Sequence, residues 1–265
     1  MGLKMQNKNL LEVVISRYSE DMSWVSNIPE NCKFVIYNKG NDLHIPSVKL
    51  KNIGRESHTY IHHIVSNYNN LSDYTIFVQG NPFDHSPGLI GYIQNLLNLN
   101  EVNQDFFWLT SNMFRTDFEY KREPNMSVCP YIKFAYETIF GESPNFETFI
   151  FGGGAQFCVS KSRIQERSFD FYKNILDIFE KVPVGNSWED YDEITQKLLA
   201  NTGTTNMLYS EEQNRKLRNV YNPVCPELGS YMERLWGLIF KDSYTGTVYD
   251  HLHGGALQIE NGVPI

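Results

Sequence analysis

Three short runs of apolar, largely β-branched residues constrain this chain most: Leu11–Ser16 (LEVVIS), Phe34–Tyr37 (FVIY) and Thr75–Val78 (TIFV). Apolar runs of this length suit strands buried on both faces, as in parallel sheets. Parallel neighbours need a crossover between them. Between the first two runs, Met22, Val25 and Ile28 recur at helical spacing ahead of Pro29, so a helix is expected over Glu20–Ile28. The opening is β-α-β, and the expected class is α/β with a mainly parallel sheet flanked by helices.

The pattern continues with a strand over Val48–Ile53, a helix over Ser57–Asn67 and, after TIFV, a helix over Gly88–Leu97. Strands are expected at Phe106–Leu109, Phe146–Phe151 and Ala155–Val159, with a long polar loop over Arg115–Pro130. Helices are expected over Lys161–Val182, Ser187–Asn201 and Glu227–Phe240, a helical C-terminal subregion followed by a polar tail from Asp242. No clean linker interrupts this order. Residues 1–10 are expected as a disordered lead-in and 11–265 as one α/β domain.

Composition narrows the function. Of 265 residues, 41% are hydrophobic, enough for a sizeable core, and the net charge is −8. With no basic run, nucleic-acid binding through phosphates is not expected. No stretch approaches the roughly 18–20 apolar residues of a membrane span. Met1–Asn9 is polar and lacks a signal-peptide core, and Gln6 stands where a myristoylation motif wants Ser or Thr. The expected location is cytoplasmic, with peripheral membrane association left open. Cys32, Cys129, Cys158 and Cys225 form no CxxC pair, so reduced thiols are expected rather than a thiolate zinc site.

In open α/β sheets, ligands bind beyond the carboxyl ends of the strands. Arg17, Tyr18, Glu20 and Asp21 follow the first strand, and Asn38, Lys39 and Gly40 the second. Gly54, Arg55, Glu56 and His58 follow the third, and Gln79, Gly80, Asn81, Asp84 and His85 the fourth. One polar strand end is ordinary loop solvation; four in series point to one pocket rim. Arg17, Lys39 and Arg55 would place three cations there, suited to a diphosphate, with Gly54 opening a helix N-terminus that favours anions. The alternative is that Arg55 and Glu56 pair within the loop and fix the turn. His58 and His62 share a helix face but lack the glutamate of His-Glu-x-x-His, so His58 is expected to face the pocket while His62 and His63 make structural hydrogen bonds. Asp84, with His85, is the candidate metal or donor-sugar holder; Mg2+ or Mn2+ bound by one carboxylate plus substrate phosphates and a metal-independent site are both acceptable. Asp190-Tyr191-Asp192 falls in an expected first helical turn, where acids are structural. Gly152-Gly153-Gly154-Ala155-Gln156 matches neither GxGxxG nor a P-loop. It is either a tight bend or a close approach of Gly153 and Gly154 to a sugar or phosphate, with Gln156 as hydrogen-bonding partner. Glu233, early in the last expected helix, is either a general base or a solvated surface group. Nothing supports a serine or cysteine nucleophile.

The strings VVISRYSEDMSWV, YNKG, NIGRESHTYIHHIV, TIFVQGNPFDH, FGGGAQFCVSKSRI and MERLWGLIF resemble the uncharacterised family DUF3431 over most of residues 11–240. More distantly, the order of parts is similar to GT-A glycosyltransferases. That resemblance implies a Rossmann-like, GT-A-like sheet in which Ser16–Asp21 hold a nucleotide. Gln79–His85 would stand where an acidic metal motif usually lies, Gly152–Ser160 would line the donor and acceptor pocket, and Glu233 would be the base. The usual Asp-x-Asp is missing from the mid-domain strand end. The expected activity is transfer of a sugar from a nucleotide-sugar donor to a glycan acceptor in surface polysaccharide or glycoconjugate synthesis. The rivals are a metal-dependent hydrolase or phosphotransferase using His58, His62, Asp84 and His85, and a noncatalytic carbohydrate-binding protein. The donor, the acceptor, the stereochemistry and the oligomeric state are not legible.

Overall fold

The computed structural model describes residues 11–99, 102, 104–118, 132–181, 226–243, 245–250, 255–261 and 263–264. The first strand, β1 (Leu11–Arg17), pairs in parallel with β2 (Lys33–Asn38) on one side and β4 (Tyr74–Gln79) on the other. A two-residue β3 (Val48–Lys49) adds to β2, also in parallel. Beyond β4, β8 (Phe157–Ser160) runs antiparallel to both β4 and β5 (Phe106–Trp108). The six-stranded order is β3-β2-β1-β4-β8-β5. The chain winds outward from β1 to β3 and then returns to the far side of β1, so the strand order reverses between β1 and β4. Such a switch point opens a crevice at the carboxyl ends of the strands. Ser16 is level with both Tyr37 and Gln79, and Arg17 with Asn38, so these ends form one even rim.

The sheet is covered on both faces, which is why its strands read as near-continuous apolar runs. Val14 and Phe77 face a core shared with α1 (Arg55–Asn67), α5 (Phe169–Lys181) and α6 (Pro226–Ile239), through Ile61, Phe179 and Trp236. Val13, Ile15, Ile76 and Val78 face the opposite way, onto Trp24, Val25 and Ile93. Ile93 belongs to α2 (Leu89–Asn98). A second sheet has the order β11-β10-β9-β6-β7, with β6 spanning Met113–Asp117, β7 Thr148–Gly152, β9 Gly246–Asp250, β10 Ala256–Glu260 and β11 Val263–Pro264. Two further helices are α3 (Ile132–Phe140) and α4 (Lys161–Gln165). Phe149 and Val248 of the second sheet join the core that holds Val14 and Phe77, so both sheets share one interior.

Several expected elements differ in detail. The Glu20–Ile28 helix is only a 3-10 turn over Ser23–Asn27. The Asp21 carboxylate accepts from the Ser23 amide at 3.0 Å and the Ser23 hydroxyl at 2.6 Å, a local turn that competes with a full helix. The Val48–Ile53 strand shrinks to its first two residues, and the expected Lys161–Val182 helix breaks into α4 and α5. The break is marked by Ser168, whose hydroxyl accepts from the Phe171 amide at 3.2 Å. The polar tail contributes three strands with little apolar signal; among its described residues Val248 and Ile259 are the buried hydrophobics. Cys32 and Cys158 are buried free thiols. Cys129, Cys225, most of the Arg115–Pro130 loop, the Ser187–Asn201 helix and Asp190-Tyr191-Asp192 lie outside the described residues. No helix among the described residues is long and apolar enough to cross a membrane.

Candidate functional site

Two cations expected to face a ligand instead build the rim. The Arg17 guanidinium donates to Asn38 Oδ1 at 2.9 Å, to the Asn41 carbonyl at 2.7 Å and to the Glu20 carbonyl at 3.2 Å. Arg17 and Asn38 are buried. Asn38 is engaged as well, its Oδ1 accepting from the Gly40 amide and its Nδ2 donating to the Asn41 carbonyl. Lys39 is buried, and its ammonium donates to the Ile53 carbonyl at 2.7 Å and to the Arg55 carbonyl. Desolvation pulls Lys39 down to about 7, against the opposing pull of the Glu56 charge. The physical reason for the inward turn is burial: a cation without water must find acceptors, and loop carbonyls at the strand ends are the nearest.

Lys39 thereby draws together the two carbonyls that flank Gly54. Gly54 has φ +58°, and a β-carbon there would strike the Phe179 ring and approach His58 Cβ to 2.9 Å. Only glycine meets both demands without strain. Arg55 follows, also left-handed at φ +51°, and is exposed at the start of α1. Across the switch point, Glu20 spans the crevice. Its carboxylate accepts from the Tyr18 and Ser19 amides at 2.6 and 3.0 Å, and a β-carbon on Gly80 would lie 2.6 Å from its Oε2. The Gly80 carbonyl accepts from Trp24 Nε1 at 2.9 Å.

The glycine run forms the opposite wall. Gly153 donates to the Asn112 carbonyl at 2.8 Å. Gly154, at φ +85°, lies over His85, whose ring a β-carbon would overlap. Its amide donates to Glu233 Oε1 at 2.8 Å. This bond joins α6 to the turn between β7 and β8 and holds the Glu233 carboxylate at the rim. Gln156 is fully buried, and its amide donates to the Pro82 carbonyl at 3.1 Å, tying the loop after β4 to the same turn. It therefore acts first as a brace rather than as an outward-facing partner for a sugar. Asp84 is exposed and accepts from the Asn81 amide at 3.1 Å.

The Glu233 charge acts on Glu56 across a wide separation in the chain. Glu56 is partly exposed on the first turn of α1. Burial and the Glu233 charge raise its carboxyl to about 7, against the pull of Arg55 and Lys39. Perturbed titratable groups clustered in a cleft are a mark of functional sites.

His58 is a correction. The ring does not face the pocket but is buried between α1 and α5, with its centroid 5.9 Å from that of Phe179 and Nε2 3.9 Å from Glu180. Its place follows from helix periodicity, which sets residues 58 and 62 on the α5 side. Burial drives its pKa down to about 3, so it stays neutral. His63 makes the expected structural hydrogen bond, to the Tyr37 hydroxyl at 3.1 Å, whereas His62 Nδ1 has no hydrogen-bond partner among the described residues. Among the described residues no group of three or more His, Cys, Asp or Glu is arranged to hold a metal ion. Asp84 and His85 offer one exposed carboxylate and a ring packed under Gly154, which do not by themselves make a metal site.

No curated protein matches the chain. A family model described as "Protein of unknown function (DUF3431)" matches residues 13–193. The matched span contains every rim residue named above from Arg17 to Gln156 and stops short of Glu233. On that match, the chain belongs to the DUF3431 family.

Proposed function

We propose that this protein is a GT-A-like glycosyltransferase that moves a sugar from a nucleotide-sugar donor to a glycan acceptor. The observation that carries the reading is the Glu233 carboxylate, held at 2.8 Å by the Gly154 amide on the glycine wall of the crevice. A fixed carboxylate at the mouth of a strand-end crevice is placed as a general base needs to be. Two further features support it. The parallel β3-β2-β1-β4 arrangement with its switch point is a sheet that binds nucleotides in other proteins. The left-handed turn braced by Lys39 presents Arg55 and the start of α1 toward the rim, where a diphosphate would find positive charge.

In this mechanism the acceptor hydroxyl loses its proton to Glu233 as its oxygen bonds to the anomeric carbon. The bond from that carbon to the phosphate oxygen breaks, and its electron pair leaves with the nucleoside diphosphate. Arg55 offsets the leaving charge, while Arg17 and Lys39 hold the loops in place. Asp84 orients the donor sugar, and any Mg2+ or Mn2+ would be held mainly by donor phosphates. The reaction would serve surface polysaccharide or glycoconjugate synthesis from the cytoplasmic side, with peripheral membrane contact. The rival hydrolase reading loses support because His58 is sequestered against α5, away from Asp84 on its exposed loop.

The test is a thermal-shift panel of UDP-, GDP- and dTDP-sugars, with and without Mn2+. A ligand at 100 times its Kd stabilises the native state by about 2.7 kcal/mol. A reproducible rise in Tm with one nucleotide class is expected. No rise with any of them, in either metal condition, would remove the donor-binding premise.

A further inference from the structure

A cavity of about 180 Å³ opens where the second half of α6 lies on β7. Phe146, Phe149 and Leu238 give it apolar walls, and Thr148 and Asp242 supply its polar lining. Gly237 lets the helix close on the strand: a β-carbon there would meet both the Ile150 carbonyl oxygen and the Trp108 ring at 3.3 Å. One turn back on the same side of α6 stands Glu233, held by the Gly154 amide just beyond the end of β7. At about 1.5 Å per residue, the four residues from Glu233 to Gly237 span about 6 Å. The same helix wall therefore leads from the strand-end crevice to the cavity.

The polar lining is more than packing requires. After α6 the chain turns through a left-handed Lys241, φ +51°, and the Asp242 amide donates to the Gly237 carbonyl at 2.8 Å. This turn fixes Asp242 just past the helix C-terminus, where the macrodipole disfavours negative charge. Asp242 Oδ2 accepts from Trp108 Nε1 at 2.7 Å. That bond accounts for an acceptor at this position but not for a charged one, since asparagine would serve the indole without opposing the dipole. A carboxylate has about four acceptor sites, so the indole uses only part of its capacity. Thr148 Oγ1 accepts from Arg115 Nη2 at 3.3 Å and keeps its own proton to donate. Phe146 is half-buried, its ring nearly perpendicular to that of Tyr136 with centroids 5.8 Å apart.

A charged acceptor and a hydroxyl beside aromatic and aliphatic walls fit a ligand with hydroxyl groups on one side and C–H faces on the other. The Asp242 charge rejects phosphates and carboxylates by repulsion. The cavity is smaller than the roughly 300–1,000 Å³ of sites for drug-sized ligands, so it takes a single ring. Resting on the glycosyl-transfer reading, we propose that this cavity binds one sugar unit of the acceptor glycan, next to the unit whose hydroxyl meets Glu233. Hydroxyl groups of the bound sugar donate to the Asp242 carboxylate, the Thr148 hydroxyl donates to a ring oxygen or substituent, and the C–H face lies against Phe146 and Leu238. Asp242 is then a specificity-determining residue away from the reacting atoms. Such a remote contact holds the acceptor hydroxyl in place at the base.

The test is saturation-transfer NMR on the full-length protein with methyl glycosides of glucose, galactose, mannose and rhamnose, alone and with UDP, GDP or dTDP, and with butylammonium as a control cation. At least one glycoside is expected to bind. Asp242→Asn keeps an acceptor for Trp108 and is expected to weaken that binding about tenfold, the gap between a charged and a neutral acceptor. Leu238→Trp, at a half-buried position on the cavity wall, fills the space and is expected to abolish binding. Melting curves of both variants establish that they fold. No glycoside bound in any condition overturns the proposal, as does equal binding in folded Asp242→Asn and Leu238→Trp, or binding of butylammonium alone. A glycoside bound at this cavity with no nucleotide bound would sink the transfer reading and leave the sugar site standing. A nucleotide bound with no glycoside would do the opposite.

Discussion

Gly154→Ala tests the glycine wall most directly. The residue holds φ +85°, and a new β-carbon would overlap the His85 ring and stand 2.9 Å from His85 Cβ. Two penalties combine. A non-glycine residue forced into a left-handed conformation costs about 1–2 kcal/mol. Overpacking against a side chain costs about 1–3 kcal/mol more. The sum is about 2–5 kcal/mol, and at roughly 2–4 °C per kcal/mol for a domain of about this size the melting midpoint falls by 4 °C or more. The two terms separate in a double-mutant cycle measured by urea unfolding. In a His85→Gly background both the ring and its β-carbon are gone, so the cost of Gly154→Ala drops to the backbone term of about 1–2 kcal/mol. An equal cost in both backgrounds would refute the placement of His85 beneath the glycine run. Because the Gly154 amide anchors Glu233, the single variant also disturbs the proposed base.

The remaining predictions concern charge. Arg17→Lys, despite keeping the charge, strips the fork that holds Asn38 and Asn41 and is expected to destabilise the protein by about 1–3 kcal/mol through unmet buried acceptors; an unchanged urea midpoint would show that the network is dispensable. Glu56 is raised from 4.5 to about 7 in the folded state, so its contribution is fully present below pH 4.5 and is lost as pH rises to 7. A Glu56→Gln chain should lose stability less steeply across that window in denaturant titrations at stepped pH. His58 is lowered from 6.5 to about 3, so the unfolded chain takes up the proton first and stability falls as pH drops from 6.5 toward 3. His58→Leu should flatten that acid limb, and an unchanged limb would mean the ring is not the group that titrates.

The buried strands were legible from residue type. A strand covered on both faces has no polar alternation, and Leu11–Ser16, Phe34–Tyr37 and Thr75–Val78 stand out for that reason. Strand ends were legible too, because the apolar run stops where the backbone reaches water, which placed Arg17, Asn38, Lys39, Gly54, Glu56 and Gln79 along one rim. The Ser23–Asn27 turn and the tail strands were not, since the first is decided by an Asp21 side chain bonding its own loop and the second by pairing with distant strands.

What the amino-acid order determined by itself is therefore the parallel set of β1, β2 and β4 and its polar strand ends; the antiparallel β8 and β5 and the second sheet depend on pairings between distant segments. Only the tertiary structure decided which polar side chains face inward. Arg17 and Lys39 look like ligand-binding cations until the fold surrounds them with the carbonyls of residues 20, 41, 53 and 55. His58 reads as a pocket residue until α5 packs over it. The contact between the amino-terminal turns of α1 and α6, where Gly229 packs on Gly54, joins residues far apart in the chain. Periodicity reports a residue's face within its own element, whereas hydrogen-bond partners and charge coupling depend on elements far apart in the chain.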